Sequence, residues 1–244
     1  MNRVYFVQPL ENTAVMSYVG AASGVLTGAL TARAVVATPF SATLRHVEVG
    51  PANVIAGSAS AGGWAYPQPS FLFGSVPGAG GFYNVFRLIM ASTSSIATTR
   101  FFCGYMTATT NPVLPSGGID SAGYANAFGV IKNLTGTNYS FFHSGSNGTQ
   151  VQVDSGITYN VGDVLEIRFF AKPSATQVNM SLEVMCVGGS GTVGAGPYAE
   201  YATTGNLQSL PTNTTLMLPR FFVQSSGATG PRMGIISIYG EGDT

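Results

Sequence analysis

The run Gly189-Ser190-Gly191-Thr192-Val193-Gly194 has the glycine spacing of a dinucleotide-binding turn. That chemistry requires a helix to begin at the turn, so that its N-terminus can hold the pyrophosphate. Here Ala195-Gly196-Pro197 follows, which cannot begin a stable helix, and no acid stands where a ribose would be held. The run reads as a loop. Acid–base chemistry has few carriers: His46 sits in an alternating stretch beside Arg45 and Glu48, and His143 stands at the start of a Gly/Ser turn. No G-x-S-x-G nucleophile elbow occurs. Glycoside hydrolysis would need two carboxylates facing one cleft. Glu166 and Glu183 are the pair that could meet, across a hairpin on its solvent side, with Arg168 to balance them. Asp120, Asp154 and Asp163 stand singly in loops without calcium-loop spacing. The chain is therefore expected to be no enzyme, and to hold neither cofactor nor metal.

Binding chemistry falls to the aromatic residues. Trp64-Ala65-Tyr66-Pro67-Gln68-Pro69 reads as a loop bounded by Gly62-Gly63 and prolines, and it carries the only Trp. Tyr124, Tyr198 and Tyr201 also fall in stretches read as irregular. Exposed rings with a polar tip suit stacking on a sugar or burial in a protein interface. The competing reading is that they plug the ends of the fold or a subunit seam. Trp64, Tyr66, Tyr124, Tyr198 and Tyr201 make up the expected contact surface.

The elements that must position these groups are strands. In Gln150-Val151-Gln152-Val153-Asp154 polar and apolar residues alternate, which points one side chain in two at a core. In the next run Leu165, Ile167 and Phe169 share one face, with Glu166 and Arg168 on the other. Lys172-Pro173-Ser174 breaks the run, because proline cannot donate a ladder hydrogen bond and presets a turn. The return places Val178, Met180, Leu182, Val184 and Cys186 on one face, with Asn179, Ser181 and Glu183 opposite. A period of two across such a hairpin belongs to a half-buried antiparallel sheet. Further strands are expected at 4–7, 32–37, 42–49, 70–73, 83–90, 99–106, 127–132, 139–142, 215–223 and 233–239. Pro and Gly punctuate these runs, and no capped window of helical period competes. The expected fold is all-β, an antiparallel β-sandwich of jelly-roll type over 41–244. Residues 1–40 form either a docking arm or edge strands of the same sandwich.

Of the 244 residues 8% are charged, with ten acids balancing ten bases. So much uncharged surface favours contact with other subunits. The absence of a basic cluster argues against nucleic acid as a partner. Cys103 and Cys186 are too few for a disulfide framework and fall in phase with apolar neighbours, as buried thiols do. No stretch reads as a targeting signal. The apolar stretch 21–40 is interrupted by Arg33 and falls short of the ~20 residues that span a bilayer, so no membrane insertion is expected.

The order of blocks from about residue 38 onwards resembles a β-sandwich module of tailed-bacteriophage structural proteins. The resemblance is carried by Arg100-Phe101-Phe102-Cys103-Gly104-Tyr105, Phe128-Gly129-Val130, Thr137-Asn138-Tyr139-Ser140 and Val153-Asp154-Ser155-Gly156. It continues through Leu165-Glu166-Ile167-Arg168, the Pro173 hairpin, Leu210-Pro211 and Leu218-Pro219. The ending departs from the pattern, with Gly240 and Gly242 flanking Glu241. The resemblance implies a non-enzymatic virion protein assembled in the host cytoplasm: a homotrimeric tail-fibre or appendage module contacting other virion proteins and a host-surface glycan. Its alternative is a head decoration protein bound to the capsid. A third reading, from the aromatic residues, is a carbohydrate-binding module using Trp64 and Tyr66.

Overall fold

The computed structural model describes residues 2–7, 31–34, 45–49, 60–65, 70–71, 78, 80–90, 99–107, 126–133, 136–145, 150–175, 177–186, 199–204, 211, 215–225 and 233–243. For 2–7, 31–34, 45–49, 60–65, 70–71, 177, 186, 199–204, 224–225 and 243 the description is of the backbone alone. The remaining residues, Tyr66, Tyr124, Tyr198 and the glycine run 189–194 among them, lie outside the described residues.

Among the described residues the chain forms strands and no helix. They are β1 Asn2–Val7, β2 Thr31–Ala34, β3 Arg45–Val49, β4 Ser60–Ala65, β5 Ser70–Phe71, β6 Phe82–Ile89, β7 Thr99–Met106 and β8 Ala127–Lys132. They continue with β9 Asn138–Ser144, β10 Gln150–Thr158, β11 Val164–Ala171, β12 Gln177–Cys186, β13 Ala199–Thr204, β14 Leu216–Ser225 and β15 Met233–Asp243. Sheet A runs β13-β12-β11-β6-β15-β3-β2, with β1 also pairing β15, and sheet B runs β10-β9-β8-β7-β14-β4, with β5 also pairing β14. Every pairing is antiparallel. One flank brings β13 against β10 and the other brings β3 against β4, so the sheets stack face to face. The expected all-β antiparallel sandwich is the fold observed.

Two strands depart from the expectation. Trp64, expected in a loop, lies on β4 with its backbone paired to Phe221, because the small residues of Ser60-Ala61-Gly62-Gly63 do not prevent a strand at a sheet edge. Tyr201, expected in an irregular segment, lies on β13 opposite Met180. Glycines and alanines hid both strands from a reading that looks for alternating bulk.

Between the sheets Phe86 is the hub of an aromatic cluster, with centroids 5.5 Å from Tyr105, 5.3 Å from Phe169 and 5.1 Å from Phe221. Leu165, Ile167 and Phe169 of β11 and Val178, Met180, Leu182 and Val184 of β12 all enter this core, in the phase that the alternation requires. Val151 and Val153 of β10 are only half-buried. β10 is the edge of sheet B, and the core thins there. Phe102, Met106, Ala127, Ile131, Phe142 and Phe222 form a second buried cluster apart from this core.

The turns follow their residues. Asn160-Val161-Gly162-Asp163 closes with Asp163 N–H donating to Asn160 O at 3.2 Å, and Gly162 takes the left-handed φ of 87° that a type II turn demands. The Asp163 carboxylate is wholly buried, accepting from the Tyr139 hydroxyl at 2.9 Å and from Asn160 N–H at 2.8 Å. This bond ties sheet B to the start of β11.

Close by, the Lys132 ammonium donates to Thr99 O at 2.6 Å and to Asn133 O at 2.9 Å, and lies 5.4 Å from the Tyr159 ring centre. Burial lowers its pKa from the ordinary 10.5 to about 8. Between those values the unfolded chain binds more protons than the native one, so stability should rise with pH across the window. The buried Tyr139 and Tyr159 phenols are pushed up by desolvation. They act in the opposite sense only once unfolded tyrosine ionises, near pH ~10. The buried Cys103 thiol, also pushed up by desolvation, opposes the rise once unfolded cysteine ionises near pH ~8.5. In urea unfolding from pH 8 to 10 the Lys132 contribution should therefore appear as a wild-type stability that gains on that of Lys132→Met as pH rises.

Candidate functional site

The outward face of sheet A is mostly polar, as the alternation requires. On it Glu166 of β11 and Glu183 of β12 stand directly opposite. Arg168 joins them, donating to Glu166 and, at 2.9 Å, to Glu183, while Arg87 Nε donates to Glu166 at 2.6 Å. The expected pair of carboxylates therefore exists, but each is held in an ion pair. Glu166 is also buried rather than solvent-facing, because the two arginines cover it. This is the geometry of a structural ladder across three strands.

Two residues further along β6 and β11 the same face changes character. Tyr83 and Phe170 are register partners there, and they remain 37% and 41% exposed. Both occupy the polar phase of their strands: Tyr83 shares its face with Arg87, and Phe170 with Glu166 and Arg168. On the other side of Tyr83, its register partner on β15 is Glu241. Together with Gly80, Gly81 and Pro173 they line an open hollow of about 200 Å³.

The frame of the hollow is rigid for local reasons. Gly80 and Gly81 have φ of 75° and 85°, a left-handed conformation natural to glycine. A Cβ on Gly81 would lie 2.6 Å from Pro173 N, so the turn before β6 packs directly on the β11–β12 hairpin. That hairpin is closed by Ala175 N–H donating to Lys172 O at 3.0 Å, with Pro173 and the left-handed Ser174 at its tip. Behind the hollow the Tyr239 ring meets Tyr83 edge-on at 6.4 Å, and its hydroxyl donates to Glu241. That bond holds the Tyr239 phenol above its ordinary pKa. Among the described residues no cation pairs with Glu241. The hollow thus offers a flat apolar surface beside an oriented acceptor.

The expected contact residues are not gathered here. Trp64 lies on β4 and Tyr201 on β13, at opposite flanks of the sandwich and in different sheets. Their side chains, like Tyr66, Tyr124 and Tyr198 altogether, lie outside the described residues. His46 and His143 are also apart, on β3 of sheet A and β9 of sheet B. His143, expected at the start of a turn, is a buried strand residue. Tyr83 and Phe170 were missed because rings were sought in loops. The signal was in the strands: an aromatic residue standing on the phase that charged residues occupy.

Solved structures share the fold over essentially the whole chain. Peanut lectin, solved with a nine-residue peptide, is 12% identical with a TM-score of 0.58, covering 99% of this chain and 97% of its own. The lectin UEA-II complexed with galactose is 12% identical with a TM-score of 0.59, covering 100% and 99%. Arcelin-5, a lectin-like defence protein from Phaseolus vulgaris, is 10% identical with a TM-score of 0.55, covering 99% and 98%. No protein-family model and no curated protein matches the sequence. The expected kinship with tailed-phage virion proteins is overturned by these neighbours, and the tail-fibre and capsid-decoration readings fall with it. The blocks that carried the resemblance are general to antiparallel sandwiches: a central strand at 100–105, a bulged edge strand at 153–156 and a proline hairpin at 173. At these identities the likeness is one of architecture, and the architecture is the two-sheet sandwich of the legume lectins.

Proposed function

We propose that this chain is a non-enzymatic carbohydrate-binding protein that seats a single sugar ring in the hollow at Tyr83, Phe170 and Glu241. The observation that carries the reading is the pair of exposed rings on a polar strand phase beside a carboxylate that no cation among the described residues pairs. A pyranose has an apolar C–H face and a hydroxyl rim. The first buries area on an aromatic ring, and the second donates to a charged acceptor that is already oriented. Cleavage of a glycosidic bond needs two carboxyl groups about the scissile bond. Among its lining residues the hollow has one. The fold lends support: UEA-II was solved with galactose, and the Ulex europaeus lectin I with the methyl glycoside of α-L-fucose.

A glycan array probed with the wild-type chain should give a restricted set of bound sugars. The Tyr83→Ala, Phe170→Ala double variant should lose at least about tenfold in affinity, the worth of one stacking contact, with its melting temperature nearly unchanged. Full retention of binding by that variant would remove the hollow from consideration. The 8% charge content supports self-association as part of the same reading. Sedimentation at micromolar concentration should show a species heavier than the 25.2 kDa chain, and a monomer at every concentration would refute it.

A further inference from the structure

Sheet B carries a second concavity. Asn133, Thr137, Asn138, Ser140, Gln152 and Asp154, with Gly136 leaving room at the β8–β9 turn, line an open cleft of about 540 Å³. Among the described residues its walls are amides, hydroxyls and one carboxylate, and no ring lines it. Several of these groups are fixed in place. Asn138 Nδ2 donates to both oxygens of Asp154 at 3.1 Å, and Gly156 N–H donates to Asp154 Oδ1 at 2.8 Å. Asn133 Nδ2 donates to Gln152 Oε1 at 3.1 Å, and the Thr158 hydroxyl to Asn138 Oδ1 at 3.2 Å. Others are left over. The Ser140 hydroxyl, on a residue only 7% exposed, and the Gln152 amide nitrogen make no hydrogen bond among the described residues.

We infer that this cleft is a second saccharide site, so that one chain binds two separate sugars. The inference rests on the carbohydrate-binding reading and extends it to a different surface. Each hydroxyl of a neutral sugar both donates and accepts. A wall that sets a fixed carboxylate beside amide donors and the Ser140 hydroxyl matches a row of them. A fixed anion would meet the Asp154 carboxylate here, which selects against acidic ligands.

The placement decides what two sites accomplish. The hollow lies at the start of β6, where Phe82 pairs with Ala171 and Gly242. The cleft lies at the other end of the sandwich: Tyr139, beside Asn138, bonds Asp163, whose carbonyl accepts from Met90 just past the end of β6. The eight residues of β6 separate the two ends by roughly 25 Å, and the sheets add about 10 Å. The hollow and the cleft also belong to different sheets. A single short saccharide does not reach both, so each site engages its own ligand. The chain is then a cross-linker of glycans without needing a second copy.

The test uses the full ¹⁵N-labelled chain titrated with methyl α-D-galactoside, methyl α-D-mannoside and methyl α-L-fucoside at millimolar concentration. At least one sugar should move the amides of Gly136, Asn138 and Gly156, and at least one those of Gly81, Tyr83 and Gly242. Gln152→Ala, and separately Asp154→Asn, should abolish the first set of shifts and leave the second. The undisturbed remainder of the spectrum reports that each variant is folded. Shifts at the hollow alone overturn the second site while the proposed function stands. Shifts at the cleft alone move the sugar site there and overturn the assignment to the hollow. No shift with any of the three sugars, together with an empty glycan array, overturns both.

Discussion

Phe169→Ala should destabilise the chain by about 3–5 kcal/mol, whereas Phe170→Ala, one residue along the same strand, should cost under about 1 kcal/mol. For a chain of this length the first corresponds to a fall in melting temperature of roughly 10 °C, and the second to a change near the error of the measurement. The contrast follows from the pleat. Phe169 is wholly buried, with ring centres 5.3 Å from Phe86, 5.8 Å from Tyr105 and 5.8 Å from Phe128, so it bridges both sheets. Removing it leaves a cavity that two close-packed sheets cannot close. Phe170 points outward into the hollow and loses little by truncation. Arg168→Ala falls between them, at about 1–2 kcal/mol, because it strands Glu166 and Glu183 against each other with Arg87 the counter-charge left among the described residues. Comparable losses at 169 and 170 would mean that the strand is slipped by one residue, which would also move Tyr83 and Phe170 off the surface. The stability measurement thus tests the site as well as the fold.

The central hairpin was legible because its two strands bury one face and solvate the other, so the alternation of β11 and β12 names the core directly. The boundaries of β7 and β8 were also readable, since Gly, Pro and Asn clusters close both runs. Strands β4 and β13 were not. Gly62, Gly63, Ala199 and Ala202 carry too little side chain for a period to show, and both strands lie at sheet edges. A sequence also does not show which polar residue is covered. Glu166 looks like an exposed acid in its strand, and becomes a buried one only when Arg87 arrives from β6, 79 residues away.

The hollow illustrates the same limit from the functional side. Tyr83, Phe170 and Glu241 come from three strands separated by most of the chain, and only the order β11-β6-β15 makes them neighbours. The local anomaly was visible, a large ring on a polar phase, but its partner was not. The likeness to virion proteins failed for a related reason. Aromatic strands, glycine pairs and proline turns are what an antiparallel sandwich needs, so they recur wherever that fold does.

Gly104 and Gly129 show how such a shared feature is physically compelled, and they define a severe substitution in sheet B. The two are register partners in the middle of β7 and β8. A Cβ on Gly104 would lie 2.1 Å from Phe128 O, and one on Gly129 would lie 2.3 Å from Cys103 O. Neither residue has a left-handed φ, so the requirement is close approach of two backbones and not conformational freedom. A flexible side chain could swing aside, but a ladder carbonyl cannot without breaking its hydrogen bond. β7 cannot retreat as a body either, because β14 holds its other edge through eight register pairs. Gly104→Ala should therefore cost about 3 kcal/mol or more, at the upper end of what overpacking costs. Gly129→Ala should cost a similar amount, and the double variant less than the sum of the two, since one displacement of the strands relieves both clashes. Gly78→Ala provides the control for loss of a glycine as such: its φ of 81° makes the substitution strained, yet the added Cβ meets nothing within 4 Å. Its loss should stay near 1 kcal/mol, the ordinary penalty for a left-handed residue with a side chain. Equal losses at 78 and 104 in equilibrium urea unfolding would show that β7 and β8 do not approach as closely as described. A loss confined to 104 and 129 would establish the glycine pair as the point where sheet B is most tightly drawn together.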